Sequence, residues 1–267
     1  MQSTEAKRHI SGAGSLIGTI AKSRETTLFV VLILLVVGTA LAKPQFLNLQ
    51  NLRDVLLNVS IVSLLTAGMT VVILMRHIDL SVGSTVGVSA YAVGSLFVAF
   101  PHMPVIVALA AGLVIGLVAG GINALLVAVG RVPSLVATLS TLYIFRGADY
   151  AWVHGGQINA TSLPESFSRL ATGEVLGVPS LALIAAVVLI GLSVYLKQFR
   201  GGREHYAVGS NPEAARLAGV SVERCVIRGF LISGAIAGFS GALWLARFGT
   251  VDASTAKGIE LQVVAAA

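Results

Sequence analysis

The run VIVALAAGLVIGLVAGGINALLVAV, Val105 to Val129, carries no charged residue and a single amide, Asn123. About 20 apolar residues in a helix cross the hydrocarbon core of a bilayer, so this run is long enough to span a membrane. Gly112, Gly116 and Gly120 recur along it every four residues, and Gly234 and Gly238 repeat the interval in a later apolar run. Small residues at that spacing let two helix backbones approach closely. Working outward, further apolar runs occur at about 26–42, 55–75, 83–100, 134–151, 177–196 and 225–246. The fold class expected is all-α, a polytopic helical membrane protein with about seven transmembrane segments.

Composition agrees. The 267 residues are 55% hydrophobic and 11% charged, against about 25% charged in soluble domains. The fifth run contains Arg146 and Asp149 and is expected to be short, tilted or broken. Cys225 is the single cysteine, which excludes a disulfide framework within the chain and a multi-cysteine metal site. The five histidines show no paired ligand spacing, and no metal site is expected. Residues 1–25 are polar, lack a cleavable signal pattern and are expected to form an N-terminal tail.

Of the 18 Lys and Arg residues, twelve fall on one side of the seven-span arrangement: Lys7, Arg8, Lys22, Arg24, Arg76, Arg131, Lys197, Arg200, Arg203, Arg216, Arg224 and Arg228. The positive-inside rule puts that side, the N-terminus and the polar connection 197–224 in the cytoplasm, and the connection 152–176 outside. The net charge of +6 thereby has its explanation at the lipid bilayer, and no nucleic-acid partner is expected. GIELQVVAAA, 258–267, turns apolar again, as expected of a further span beginning and of a chain incomplete at its C-terminus.

Two polar breaks stand out. In HIDLSVGS, His77 to Ser84, Asp79 or Ser81 can cap a helix starting near Gly83. A plain turn and a discontinuous helix lining a polar cavity both fit. In GSNPEAARLAG, 209–219, Asn211 suits an N-cap, Pro212 the first helical position, Glu213 the positive end of the dipole, and Gly219 a left-handed C-terminus. The short helix can be a connector or a docking handle, with Ala214 and Ala215 between Glu213 and Arg216 as a compact knob. Arg146 can pair with Asp149 or touch cargo, while Asn58, Thr66, Asn123, Thr138 and Thr141 can bind a hydroxylated solute or join helices. No phosphate-binding P-loop, nucleophile elbow or zinc-protease motif is present, so neither an enzyme nor a self-powered pump is expected.

GREHYAVGSNPEAARLAGV at 202–220, HIDLSVGS at 77–84, VATLSTLYIFRGADY at 136–150 and GIELQVVAAA at 258–267 resemble, in order, the signatures of permease subunits of ABC importers for monosaccharides such as ribose, xylose, arabinose and galactose. The resemblance implies a bacterial inner-membrane subunit with one permease domain over 26–267. It implies pairing with a second permease subunit, two cytoplasmic ATP-binding subunits that hold ATP and Mg, and a periplasmic sugar-binding protein, with no cofactor in this chain. By match, Asn211, Pro212, Glu213, Ala214, Ala215, Arg216 and Gly219 belong to a coupling helix. Asp79, Ser81, Gly83 and Ser84 fall near the translocation path, with Asn123, Thr138, Thr141 and Arg146 as further candidates. Gln262, where many members carry Asp, and TVDAS ahead of GIELQVVAAA are similar to the rhamnose or autoinducer-2 branch. The alternative is a self-contained secondary carrier or channel, which calls for inverted repeats and buried ionisable residues.

Overall fold

A computed structural model describes residues 24–267, so most of the expected tail lies outside the described residues. The chain divides into two compact units between Asp54 and Val55. The first contains helix α1 (Arg24–Ala42), a 3₁₀ turn over Pro44–Leu47 and the first residues of α2 (Leu49–Leu74). Asn51 Nδ2 donates to the Phe46 carbonyl at 2.7 Å and fixes that turn.

The second unit holds the rest of α2, α3 (Val82–Ala99), α4 (Val105–Ala124, continued by a π-helical turn through Val129) and α5 (Ser134–Val153). Then come α6 (Glu165–Thr172), a two-stranded hairpin of β1 (Glu174–Val175) and β2 (Val178–Pro179), and α7 (Ser180–Gln198). The chain continues through α8 (Arg200–Ser210), α9 (Pro212–Leu217), α10 (Val222–Phe248) and α11 (Ile259–Ala266). Among the described residues five helices are long and apolar enough to cross a membrane: α2, α3, α4 with its π turn, α7 and α10. The apolar part of α1, Thr26–Ala42, is shorter.

The run around Arg146 is an unbroken helix of 20 residues, contrary to the interruption expected. Arg146 and Asp149 both turn inward, with 9% and 0% of their surface exposed, so neither presents a charge to lipid.

Helix α10 is the central element. A Cβ added at Gly116 would lie 2.0 Å from the Gly234 carbonyl oxygen, so the α4 and α10 backbones meet where only glycine fits. Ser89 on α3 donates to the Gly238 carbonyl at 2.6 Å and closes the three-helix junction. On the other flank α6 buries Phe167 against Phe97, with ring centroids 4.7 Å apart. Only 17% of α7's apolar window is buried, so most of that helix is left uncovered by the rest of the chain.

The connection 197–224, expected to hold one short helix, holds two. Gly201, Gly202 and three charges hide α8 in the sequence, because glycine costs about 1 kcal/mol in a helix interior. Burial of His205, Val208 and Gly209 along one face supplies the stability that propensity lacks.

Candidate functional site

Two polar objects occupy the positions that the sequence singled out. The first begins where α2 ends at Leu74 and residues 75–81 lead irregularly into α3. There Asp79 turns inward. Its Oδ1 accepts from the Ser81 backbone N–H at 3.0 Å and the Ser81 hydroxyl at 2.7 Å, and its Oδ2 accepts from Ser233 of α10 at 3.2 Å. Asn123 of α4 donates to Ser81 Oγ at 2.7 Å, and Thr141 of α5 donates to Asn123 Oδ1 at 2.6 Å. Thr138 donates to the Ile78 carbonyl at 3.1 Å, and Ser84 to the Ser81 carbonyl at 2.8 Å. All seven of these side chains are 1% exposed or less.

The geometry corrects the expected cap. Neither Asp79 nor Ser81 accepts from the first-turn N–H groups of α3, which starts at Val82. Ser81 has helical φ and ψ and gives its hydroxyl proton to Asp79, so the carboxylate closes an Asx turn instead. The result is a joint between four segments in which the buried polar groups satisfy one another. Ser233 escaped the sequence reading because it lies in a Gly/Ala/Ser stretch that reads as helix packing.

Arg146 and Gly83 belong to a separate junction. Arg146 Nη1 donates to the carbonyls of Thr255 at 2.7 Å and Ala253 at 3.2 Å. The pairing with Asp149 expected from their spacing is therefore absent. Both Asp149 oxygens are buried without a hydrogen-bond partner, since the 253–255 carbonyls take the guanidinium first. A Cβ added at Gly83 would collide with Glu260 Oε2 at 2.3 Å, which places that glycine against the same C-terminal segment. Asp252 anchors the loop: hydrogen bonds from Ser254 and Thr255 hold its carboxyl below the usual range. Asn58 and Thr66 line a third feature, a cleft of about 630 Å³ between α2 and α7 that Ser63, Thr70 and Ser193 also face.

The second object is α9. Asn211 Oδ1 accepts from the N–H groups of Glu213 at 3.0 Å and Ala214 at 3.1 Å, with Pro212 at the first helical position. At the other end Gly219 N–H reaches the Arg216 carbonyl and Val220 N–H the Ala215 carbonyl, both at 2.9 Å. That pair of bonds is a Schellman closure, and it requires the left-handed φ of 81° that Gly219 adopts. Both caps stand as the sequence predicts.

The knob is different. Ala215 is 4% exposed and packs with Val72, Val208, Cys225 and Phe230, whereas Leu217 is 92% exposed. Two residues apart on a helix point about 200° from each other, so burying Ala215 turns Leu217 outward beside Glu213, Ala214 and Arg216. That spacing was the signal available for Leu217, which the sequence reading did not single out. Arg216 pairs with Glu223 at 2.7 Å and Glu213 at 3.6 Å; such exposed pairs contribute about 0–1 kcal/mol.

The two objects are connected. Arg76, just before Asp79, donates to the Ser210 carbonyl at 2.9 Å, immediately before α9. Beneath α8, His205 Nδ1 lies 3.1 Å from Cys225 Sγ and 3.2 Å from Met75 Sδ. Burial, aided by the Arg228 charge, pushes the His205 imidazole down to about 4, so it is neutral at pH 7.

Comparison with known proteins places this architecture. Residues 51–267 match the family described as branched-chain amino acid transport system / permease component. The chain is 38% identical over 249 residues to the autoinducer 2 import system permease protein LsrC of Enterobacter sp. (strain 638), covering 93% of this chain and 71% of that one. It is 37% identical over 255 residues to the protein of that name in Klebsiella pneumoniae, with 93% and 71% covered. For Escherichia coli K12 the identity is 34% over 247 residues, covering 92% of this chain and 71% of the relative. No solved structure matches. With the match running through every helix from α3 to α11, the chain belongs to the family of branched-chain amino acid transport system permease components.

Proposed function

We propose that this chain is the membrane-spanning permease subunit of an ATP-binding-cassette importer for a small sugar-like molecule, and that α9 is its coupling helix. The observation that carries the reading is α9 itself: a helix capped at both ends that presents Leu217 almost wholly to solvent. A large apolar side chain held outward on a rigid turn fits an apolar pocket on a partner. Neither a nucleotide-binding loop nor a catalytic motif occurs in the chain, so ATP and Mg are held, and ATP hydrolysed, by two separate cytoplasmic subunits docked there. The N-terminus then lies in the cytoplasm, a second permease subunit completes the path, and a periplasmic binding protein delivers cargo. The autoinducer 2 import permeases among the relatives favour a sugar-like cargo.

The residues expected on the path divide by location. Asp79, Ser81, Ser84, Asn123, Thr138 and Thr141 form the joint beside it and set the geometry of the α2–α3 break, while Gly83 and Arg146 hold the C-terminal segment against α3. Cargo hydroxyls meet the Asn58 and Thr66 stripe facing the cleft between α2 and α7. Coupling works because a docked partner contacts α9 differently in its two nucleotide states, and Arg76 links α9 to the Asp79 turn.

Leu217→Asp together with Glu213→Lys, in the assembled transporter, tests this. Uptake and cargo-stimulated ATP hydrolysis are expected to fall at least tenfold with membrane insertion unchanged; full activity in the inserted double variant refutes the coupling role. One observation favours a self-contained carrier: Asp79 and Asp149 are buried ionisable groups. That reading requires uptake by the chain in vesicles without ATP-binding subunits, driven by an ion gradient.

A further inference from the structure

A cleft of about 540 Å³ opens beside α9, between the start of α8 and the start of α10. Arg200, Glu204, Ser221, Arg224, Ile227 and Arg228 line it. Three guanidinium groups face one carboxylate. Glu204 binds both Arg200, at 3.0 Å, and Arg228. The Arg224 guanidinium has no hydrogen bond or ion pair among the described residues and stands exposed. The cleft is therefore two charges in excess, and the positive end of the 27-residue α10 adds to the field. Such a set selects an anion, and arginine forks match the oxygens of a phosphate.

The position of the cleft indicates where the phosphate comes from. Helix α7, long and apolar enough to cross a membrane, ends at Gln198, and after the exposed Phe199 comes Arg200. Ile227 adds an apolar surface in the second turn of α10, a helix long and apolar enough to cross a membrane. The lining thus runs from apolar to basic across a span boundary, as an interfacial phospholipid requires.

We propose that this cleft binds the phosphate headgroup of an anionic phospholipid, with Arg224 as its principal ligand and Arg200 and Arg228 as supporting charges. Bound lipid would brace the α8–α9 segment where Gly219, at the end of α9, leads into the start of α10.

The test is native mass spectrometry of the purified full chain with phosphatidylglycerol or phosphatidylcholine, alone and with millimolar inorganic phosphate. Wild type is expected to retain phosphatidylglycerol in preference. Arg224→Gln is expected to lose about fivefold of that preference, the effect of one basic residue at an anionic surface. Arg224→Lys is expected to keep most of it, and Arg169→Gln, on α6 away from the cleft, all of it. Equal retention of the two lipids, or an unchanged preference in Arg224→Gln, overturns the site. An equal loss in Arg169→Gln overturns it too, because net charge alone would explain the preference. Inorganic phosphate that displaces the lipid and stabilises the chain as well as the lipid does would assign the cleft to a free anion and overturn the lipid.

Discussion

The breaks at 77–84 and 209–219 are both short polar stretches set between apolar runs, with an acidic residue, small residues and glycine in each, and they become opposite objects. Asp79 is 1% exposed and ringed by hydrogen bonds from three segments, whereas the Glu213 side chain is 81% exposed with one arginine 3.6 Å away. The difference lies in the neighbours. α4 and α10 approach closely through glycine and hold Asn123 and Ser233 at the depth where the Asp79 carboxylate leaves water, so its burial is compensated. Around α9 the backbone is satisfied by caps within the segment itself, and its charged side chains meet only exposed ion pairs. A polar break folds inward where the surrounding helices supply partners, and otherwise remains a surface.

The sharpest way to break this comparison is Asp79→Ala. Ser81, Asn123 and Ser233 would lose their acceptor in a buried site, which costs about 2–3 kcal/mol. Thermal unfolding of the detergent-solubilised chain should show a clear fall, while Glu213→Ala should stay within about 0.5 kcal/mol of wild type. Similar losses at both positions would mean that the inward and outward assignments are wrong.

Much of the architecture was legible because it depends on local patterns. Apolar length gave five of the roughly seven spans expected, four-residue glycine spacing marked the two helices that pack closely, and Asn211, Pro212 and Gly219 gave both ends of α9. What was not legible depends on which residues meet across the chain. Arg146 and Asp149 have ideal spacing for a helical pair, yet carbonyls more than 100 residues away take the arginine. Ser233 joins Asp79 from 154 positions away. Helix α8 was hidden for another reason: its stability comes from a buried face that glycine-poor propensity rules do not register. Leu217 was readable in principle, since fixing Ala215 inward fixes Leu217 outward, but the direction of Ala215 is itself a tertiary fact.

The joint beneath α8 gives the next test, through pH. His205 titrates at about 4 in the fold, below its ordinary value near 6.5, so the unfolded chain binds the proton more readily. The stabilisation is complete above about pH 6.5 and is lost as pH falls toward 4. Going from pH 7.5 to 5 should cost about 1–2 kcal/mol through this group. Unfolding midpoints across that range should drop in wild type and drop less in His205→Asn; parallel profiles would show that burial of His205 does not control them. Below this comes Asn211→Ala, which removes an N-cap worth about 1 kcal/mol. Because α9 is exposed, that loss should appear as faster amide exchange at 212–217 with little change in the global midpoint.

The smallest effect on the fold and the clearest separation of the two regions should come from Leu217→Ser. A side chain that is 92% exposed buries almost nothing within the chain, so its removal should leave the unfolding midpoint within experimental scatter. If α9 is a docking surface, the missing energy appears elsewhere. Transferring a leucine from water into a partner's pocket is worth about 1.5–3 kcal/mol, so the affinity for the ATP-binding subunits should fall about 10- to 100-fold. Titration of the ATP-binding subunits against the reconstituted chain reads this directly, and unchanged affinity would leave Leu217 a surface residue without a partner. Ala215→Ser is the matched control. It carries a hydroxyl on the same short helix but points it into the core with Val72 and Phe230, so it should lower stability by about 1 kcal/mol or more. Its effect on docking should be no greater than that loss of stability explains. A chain in which these two serines exchange their effects would have α9 turned half a revolution from the orientation described, with its handle facing inward.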